Sequence, residues 1–264
     1  APKTGRAGAA HIERTLNYNC NWRIFFAAEP GGTGTYLQYL IVGLGWTLAT
    51  ALAAWVLALA IGAIVGTLRT TPMKWVVRLG DAYVEIFRNV PLIVQMFLWF
   101  FVMPELVPKG IGDAIKQMPP PWGSYIPAVL CLGIYTSVRV AEQVRAGIQS
   151  LARGQSMAGT ALGLTLPQTY RYVVLPMAVR IVLPPLTSEF MNIIKNSSVA
   201  LTIGLLELTG RARAMQEFSF QVFEAFAAAT LIYLLTNLVV VLGMRALEKK
   251  VRVPGLIAAA GALQ

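Results

Sequence analysis

From Pro30 to Leu68 the chain contains no Asp, Glu, Lys or Arg. About twenty apolar residues suffice for a helix to cross the hydrocarbon core. Lipid cannot satisfy backbone N–H and C=O groups, so such a run must be helical. Residues 36–68 are therefore expected to span a membrane with length to spare for tilt or overhang. Composition agrees, with 56% hydrophobic and 13% charged residues, against about 25% charged in soluble domains. The net charge of +10 would point to nucleic acid in a soluble protein. Here the basic residues mostly flank apolar segments, which is a topology signal, and no nucleic-acid partner is expected.

Four further spans are read at about 84–107, 126–149, 180–206 and 223–247. The glycines of the first (Gly43, Gly45, Gly62, Gly66) suit close helix packing in lipid. Between the second and third lies "PELVPKGIGDAIKQMPPPWGSY", a polar loop whose three prolines exclude helix interior. Loops 69–80 and 145–180 and the segment after the fifth span carry Arg69, Lys74, Arg78, Arg145, Arg153, Arg171, Arg180, Arg245, Lys249, Lys250 and Arg252. The opposite loops carry only Lys109, Lys116, Arg211 and Arg213. The positive-inside rule makes the first side cytoplasmic, with the N-terminus outside and the C-terminus inside. The "NWRIFF" stretch suits the membrane interface. The first residues lack the charged-then-apolar order of a secretory leader. Two cysteines and one histidine, His11, make no metal site.

Residues 158–178, "AGTALGLTLPQTYRYVVLPMA", suit neither a span nor a simple turn. Two short helices fit, about 154–162 and from Pro167, since proline is at home in a first helical turn. Gly163 between them can take a positive φ. Tyr170, Val173, Val174 and Leu175 would give the second helix an apolar surface. An exposed amphipathic hairpin at a membrane surface is usually there to bind something.

With Met157 in front, the same stretch resembles the EAA coupling loop of ABC-importer permeases: two small residues, Leu-Gly, then Leu-Pro-x-Ala. Ala158, Gly159, Leu162, Gly163, Leu175, Pro176 and Ala178 match, and Met157 stands where that family often has Glu. "YVEIFRNVPLIVQMFLWF", "AEQVRAGIQSLARGQ" and "MNIIKNSSVALTIG" resemble polar-amino-acid permeases, in detail those for glutamate and aspartate. The resemblance covers roughly residues 35–254. It implies an all-α membrane protein of the type I ABC-importer permease fold, with five spans and a cytoplasmic two-helix coupling loop over about 151–178. The implied domains are an extracytoplasmic or interfacial segment (1–33), the permease domain (34–250) and a cytoplasmic tail (251–264). The implied location is the bacterial inner membrane. The implied partners are a second permease chain (a related sister or a second copy), two ATPase subunits, an extracytoplasmic amino-acid-binding protein and membrane lipid. The sequence lacks G-x-x-x-x-G-K-[ST], so it offers no phosphate cradle of that kind and is not expected to be the enzyme. ATP and Mg belong to the ATPase subunits, and no cofactor is expected in this chain.

Ionisable residues at membrane depth are functional by default. Arg139 lies thirteen residues into the third span, about 20 Å along it. Its planar fork matches a carboxylate as Lys cannot, so it is a candidate ligand for an acidic amino acid. It is equally a candidate for a structural pair with Glu142 at i+3, or with Glu85 or Glu189 across helices. Glu142 and Arg145 share a helix face and suit an anchor or gate, with Glu142 also a candidate contact. Lys195, Asn196 and Ser197 are candidate substrate contacts or helix–helix hydrogen-bond formers. Glu85 and Arg88 read as structural. Glu189 meets Lys195 only if Pro184 and Pro185 break the helix.

Three classes compete. The first is the permease of an ATP-driven importer for acidic amino acids or, as an alternative, another polar amino acid. The second is an autonomous secondary transporter, against which stand five spans with no internal repeat. The third is a membrane enzyme, against which stands the lack of a nucleophile–base pair.

Overall fold

The first long helix begins where the sequence can cap it. The Gln38 amide donates to the Thr35 hydroxyl at 3.4 Å, and the Thr35 amide donates to the Gln38 side chain at 3.0 Å. This reciprocal box satisfies donors that a helix start otherwise leaves orphaned. In the computed structural model, which describes residues 18–32 and 34–251, helix α1 then runs Tyr36–Leu68. Helices α2 (Lys74–Arg88), α3 (Leu92–Leu106), α4 (Lys109–Lys116) and α5 (Trp122–Gln149) follow. Helices α6 (Arg153–Ala161), α7 (Leu166–Ile203), α8 (Leu208–Ser219) and α9 (Val222–Val251) complete the described chain.

Four helices (α1, α5, α7 and α9) are each long and apolar enough to cross a membrane. The fifth crossing is a pair, α2 and α3, bent by 98°. Asp81 of α2 meets Arg69 at one end of the bundle. Phe100, Phe101 and Pro104 of α3 share a cavity with Trp46 and Ser124 at the other end. The bent pair therefore carries the chain across rather than looping back. Pro91 makes the bend by pushing Val90 out of the helical region. Two amides hold it. The Asn89 side chain donates to Glu85 O at 2.7 Å. The Gln95 side chain donates to Phe87 O at 2.7 Å and to Val90 O at 3.0 Å.

The core seam lies between α1 and α5, which run antiparallel. Trp46 packs edge-on against Trp122 and Tyr125 at one end. Arg69 meets Glu142 at the other, the basic end. Ala54, Ala58, Gly62 and Gly66 recur every fourth residue and are all buried. A Cβ on Gly62 would lie 2.5 Å from Val140 Cβ and 2.7 Å from Ser137 O. A Cβ on Gly66 would lie 2.7 Å from Ala141 O. The backbones can approach this closely only because these side chains are absent.

Several expectations change. The second span does not start at Val84; its helical run starts at Lys74 and breaks at residues 89–91, because Pro91 ends one helix and opens the next. The 104–125 loop contains a helix, α4, and α5 starts at Trp122 rather than near residue 126. The fourth span, read from about residue 180, belongs to a longer helix. It is continuous from Leu166, because Thr165 caps it and a π turn at Tyr170–Val174 carries the helix on. Pro184 and Pro185 lie inside this helix without breaking it. Gly45 packs against nothing and plays no part in the seam. The "NWRIFF" stretch forms a 3₁₀ helix, Trp22–Phe26, with Trp22 and Phe26 exposed. His11 and the tail beyond residue 251 lie outside the described residues.

The seam gives a direct prediction. Gly62→Val should destabilise the protein by about 1–3 kcal/mol through overpacking, read as an earlier thermal transition in detergent. Gly45→Val should leave that transition in place.

Candidate functional site

Arg139 stands seventeen residues from the start of α5 and ten from its end. At 1.5 Å per residue it lies about 15 Å inside the basic end. Its Nη1 is 3.8 Å from Glu189 Oε2 of α7, and its Nη2 donates to the Tyr135 hydroxyl at 3.2 Å. The guanidinium also lies over the Tyr135 ring, 5.4 Å from its centre. The Arg139 side chain is 47% exposed and that of Glu189 11%. Glu189 Oε2 accepts no hydrogen bond at all. The pair is therefore a loose ionic contact. An arginine has five N–H donors, and only one of those on Arg139 makes a hydrogen bond here. Of the pairings open in the sequence, the structure selects Glu189 for Arg139. It does not bring Glu85, which pairs with Arg88 at 2.9 Å, or Glu142.

Lys195 is exposed on α7, and among the described residues it has no acidic partner. It does not meet Glu189, because the helix between them is unbroken. Asn196 is half-buried. The buried Ser197 hydroxyl donates to Ile194 O at 2.8 Å, back into its own helix.

Glu142 belongs to a different group. Arg69 Nη1 reaches Glu142 Oε1 at 2.9 Å, and Arg69 Nε reaches Asp81 Oδ1 at 2.8 Å. The same Asp81 oxygen takes Arg145 Nη1 at 3.2 Å. Three helices, α1, α2 and α5, are thus tied at the basic end. The Arg69 side chain is only 4% exposed. In the sequence it reads merely as one of several basic residues in a loop, and nothing there marked it as buried.

Beside this cluster lies the hairpin of α6 and the start of α7. Gly163 turns the chain at φ +79°. Gly159 is buried against Thr169, where a Cβ would lie 3.0 Å from the methyl carbon. Ala178 and Val174 pack with Ile148 at the root of the hairpin. Leu175 is partly buried there, and Pro176 and Ala158 are exposed. At the tip, Met157 and Leu162 stand out, Leu162 with 82% exposure. Apolar side chains concentrated on an exposed hairpin are the mark of a docking surface.

At the opposite end a cavity of about 700 Å³ opens between α1, α3 and α5. Trp46, Phe100, Phe101, Leu206, Lys116 and Arg211 line it. Lys116 bonds Glu105 at 2.6 Å, and that hydrogen bond holds its ammonium above the ordinary range. The Arg211 guanidinium lies over the Tyr39 ring at 4.2 Å. Next to this cavity is Glu207, fully buried, which sequence reasoning missed. It caps α8 by accepting from Thr209 and Gly210 amides, and it also accepts from the Thr47 and Tyr233 hydroxyls. An acid immediately before a helical run was its sole sequence signal.

A family model for the binding-protein-dependent transport system inner membrane component matches residues 58–253. The glutamate/aspartate import permease protein GltJ of Escherichia coli K12 is 47% identical over 241 residues, covering 91% of this chain and 98% of its own. The probable glutamine ABC transporter permease protein GlnM of Bacillus subtilis is 34% identical, covering 75% of this chain and 88% of its own. One chain from the crystal structure of an amino acid ABC transporter with histidines aligns at a TM-score of 0.69 and 28% identity. It covers 81% of this chain and 95% of its own. A chain of the MetNI methionine ABC transporter, inward facing, aligns at 0.69 and 19% identity over 82% of this chain and 98% of its own. That likeness shows a shared fold.

The two arginine sites should separate in stability. Arg69→Ala should cost about 3–5 kcal/mol, because it strips the partner from charges around a buried group. Arg139→Ala should cost less than Arg69→Ala, because its contact with Glu189 is long and its own side chain is half-exposed. Thermal unfolding of both variants in detergent checks this.

Proposed function

The chain belongs to the family of binding-protein-dependent transport system inner membrane components, and on that footing we propose that it is the permease of an ATP-driven importer for glutamate and aspartate. The observation that carries the acidic substrate is Arg139. Its guanidinium is half-exposed, sits deep in a span, and is held by a 3.8 Å contact with Glu189 and by the hydroxyl and ring of Tyr135. A side-chain carboxylate can displace so loose a partner and fill the unused fork. Glu189 then keeps the empty site neutral and releases Arg139 when substrate arrives. Lys195 and Asn196, on the facing helix α7, are secondary candidates for the α-carboxylate and ammonium groups.

The excess of basic residues supports placing the basic end in the cytoplasm of a bacterium. The described chain then starts outside and α9 ends inside. The hairpin, with Leu162 and Met157 at its exposed tip, is the plug for one of two ATPase subunits. ATP and Mg act there, since this chain has no phosphate cradle of the P-loop kind. A second permease chain, a related sister, completes the pathway, and a binding protein delivers substrate to the outer end. ATPase closure pushes the hairpin, and α7 moves with it because the helix is continuous from Leu166.

Two measurements test this. In the complex reconstituted with its ATPase and binding protein, Arg139→Ala should lower glutamate- and aspartate-stimulated ATP hydrolysis by about 10- to 100-fold, the worth of a charged hydrogen bond. The subunit stoichiometry should stay intact. Normal stimulation would remove Arg139 from the site. Leu162→Asp should reduce co-purification of the ATPase with the affinity-captured chain, while its own melting transition holds. Transport by the chain alone in proteoliposomes would overturn the importer reading altogether.

A further inference from the structure

The basic end holds one buried guanidinium, and its immediate chain neighbour holds the hairpin. Arg69 is the residue that ends α1. Its stem passes over Gly80, where a Cβ would lie 2.5 Å from Arg69 Cγ. Any side chain at position 80 would block that path. From there the guanidinium divides its bonds between Asp81 of α2 and Glu142 of α5. Arg145 of α5 closes the ring on Asp81. The next residue, Thr70, accepts from the Tyr170 hydroxyl at both its carbonyl (2.7 Å) and its own hydroxyl (3.1 Å). Tyr170 opens the π turn of α7, just beyond the hairpin bend. Thr70 is fixed in turn by its own hydroxyl donating to Thr67 O at 2.7 Å.

We propose that Arg69 and Thr70 form a mechanical junction that ties the hairpin to α5, and so positions Arg139. The inference rests on the transport reading above. The chain of contacts runs from Tyr170 to Thr70, along one peptide to Arg69, and across charged bonds to Glu142 and Arg145. Glu142 is one turn from Arg139 on the same helix, about 4.5 Å of rise. The packing of α1 on α5 lets no slack into this path, because Gly62 and Gly66 already sit in backbone contact. A buried charge that loses one of its partners is heavily penalised. Arg69 therefore moves with Asp81 and Glu142 rather than letting go. Displacement of the hairpin is delivered to α5 as well as to α7. Arg139 on α5 and Glu189 on α7 are the two partners whose separation opens the site. Arg69 and Tyr170 are positioning residues, since neither touches Arg139.

Tyr170→Phe removes one hydroxyl and leaves the ring, so the fold is kept. The first measurement is amide hydrogen exchange on the chain alone in detergent. Exchange at the basic end of α5, residues 142–149, should quicken about 2- to 12-fold, the net worth of a hydrogen bond. Arg69→Lys, which keeps the charge without the fork, should quicken the same segment. Unchanged exchange in α5 for Tyr170→Phe overturns the junction. The second measurement is amino acid moved per ATP hydrolysed in the reconstituted complex. The ratio should fall in Tyr170→Phe and in Arg69→Lys, and the double variant should be no worse than the poorer single one, because both lie on one path. Losses that multiply in the double variant, or an unchanged ratio, overturn the positioning role. A wild-type complex with no amino-acid-stimulated hydrolysis would sink the transport reading instead, and the exchange result would stand apart from it.

Discussion

The close approach of α1 and α5 is the constraint on which the other contacts depend. Lipid offers no hydrophobic drive for two apolar helices to associate, so packing and hydrogen bonds must supply it. The row Ala54, Ala58, Gly62 and Gly66 provides the packing. Once the backbones meet, every level along α5 is fixed relative to α1. The Tyr125 hydroxyl reaches Ala49 O at 3.3 Å near one end. Arg69 reaches Glu142 at the other. The same register sets α2 across α5, where the Tyr83 and Ser137 hydroxyls pair at 2.7 Å. A helix α1 held further out would take Arg69 away from Glu142 of α5.

The charged groups of the helix bundle divide into two kinds. At the basic end, four charges share three short contacts around one buried guanidinium. Desolvation there is offset by hydrogen bonds at near-ideal length. In mid-span, Arg139 and Glu189 stay 3.8 Å apart, and one carboxylate oxygen accepts nothing. The first arrangement resists change and transmits it. The second is poised to exchange partners. In that division Glu142, which the sequence left between anchor and contact, is engaged by Arg69, and Arg139 keeps only a loose contact with Glu189.

Much of this was legible beforehand. Charge-free runs and flanking basic residues give the spans, because hydrocarbon tolerates little else. Gly163 and Pro167 gave the hairpin bend, since each has a narrow set of backbone preferences. The misreadings share a cause. Hydropathy locates where a helix is apolar, not where its hydrogen bonds stop, so the start of α2 reads as loop and the helix from Pro167 reads as separate from the fourth span, although the two are one helix, α7. Pro184 and Pro185 left a break open in the sequence, yet α7 runs through both.

The sequence by itself determined a helical membrane protein, its polarity of charge, two of the seam glycines of α1 (Gly62 and Gly66) and the hairpin, because each follows from residue type and spacing along one chain. It could not decide which charges meet. Arg69 and Arg139 are the same residue type, and each has an acid near it in the chain, Asp81 for one and Glu142 for the other. Only the tertiary structure buries one among two carboxylates and leaves the other half open beside Glu189. The reason is physical: burial and pairing depend on which helix faces are brought together, and that is set by the register of α1 on α5.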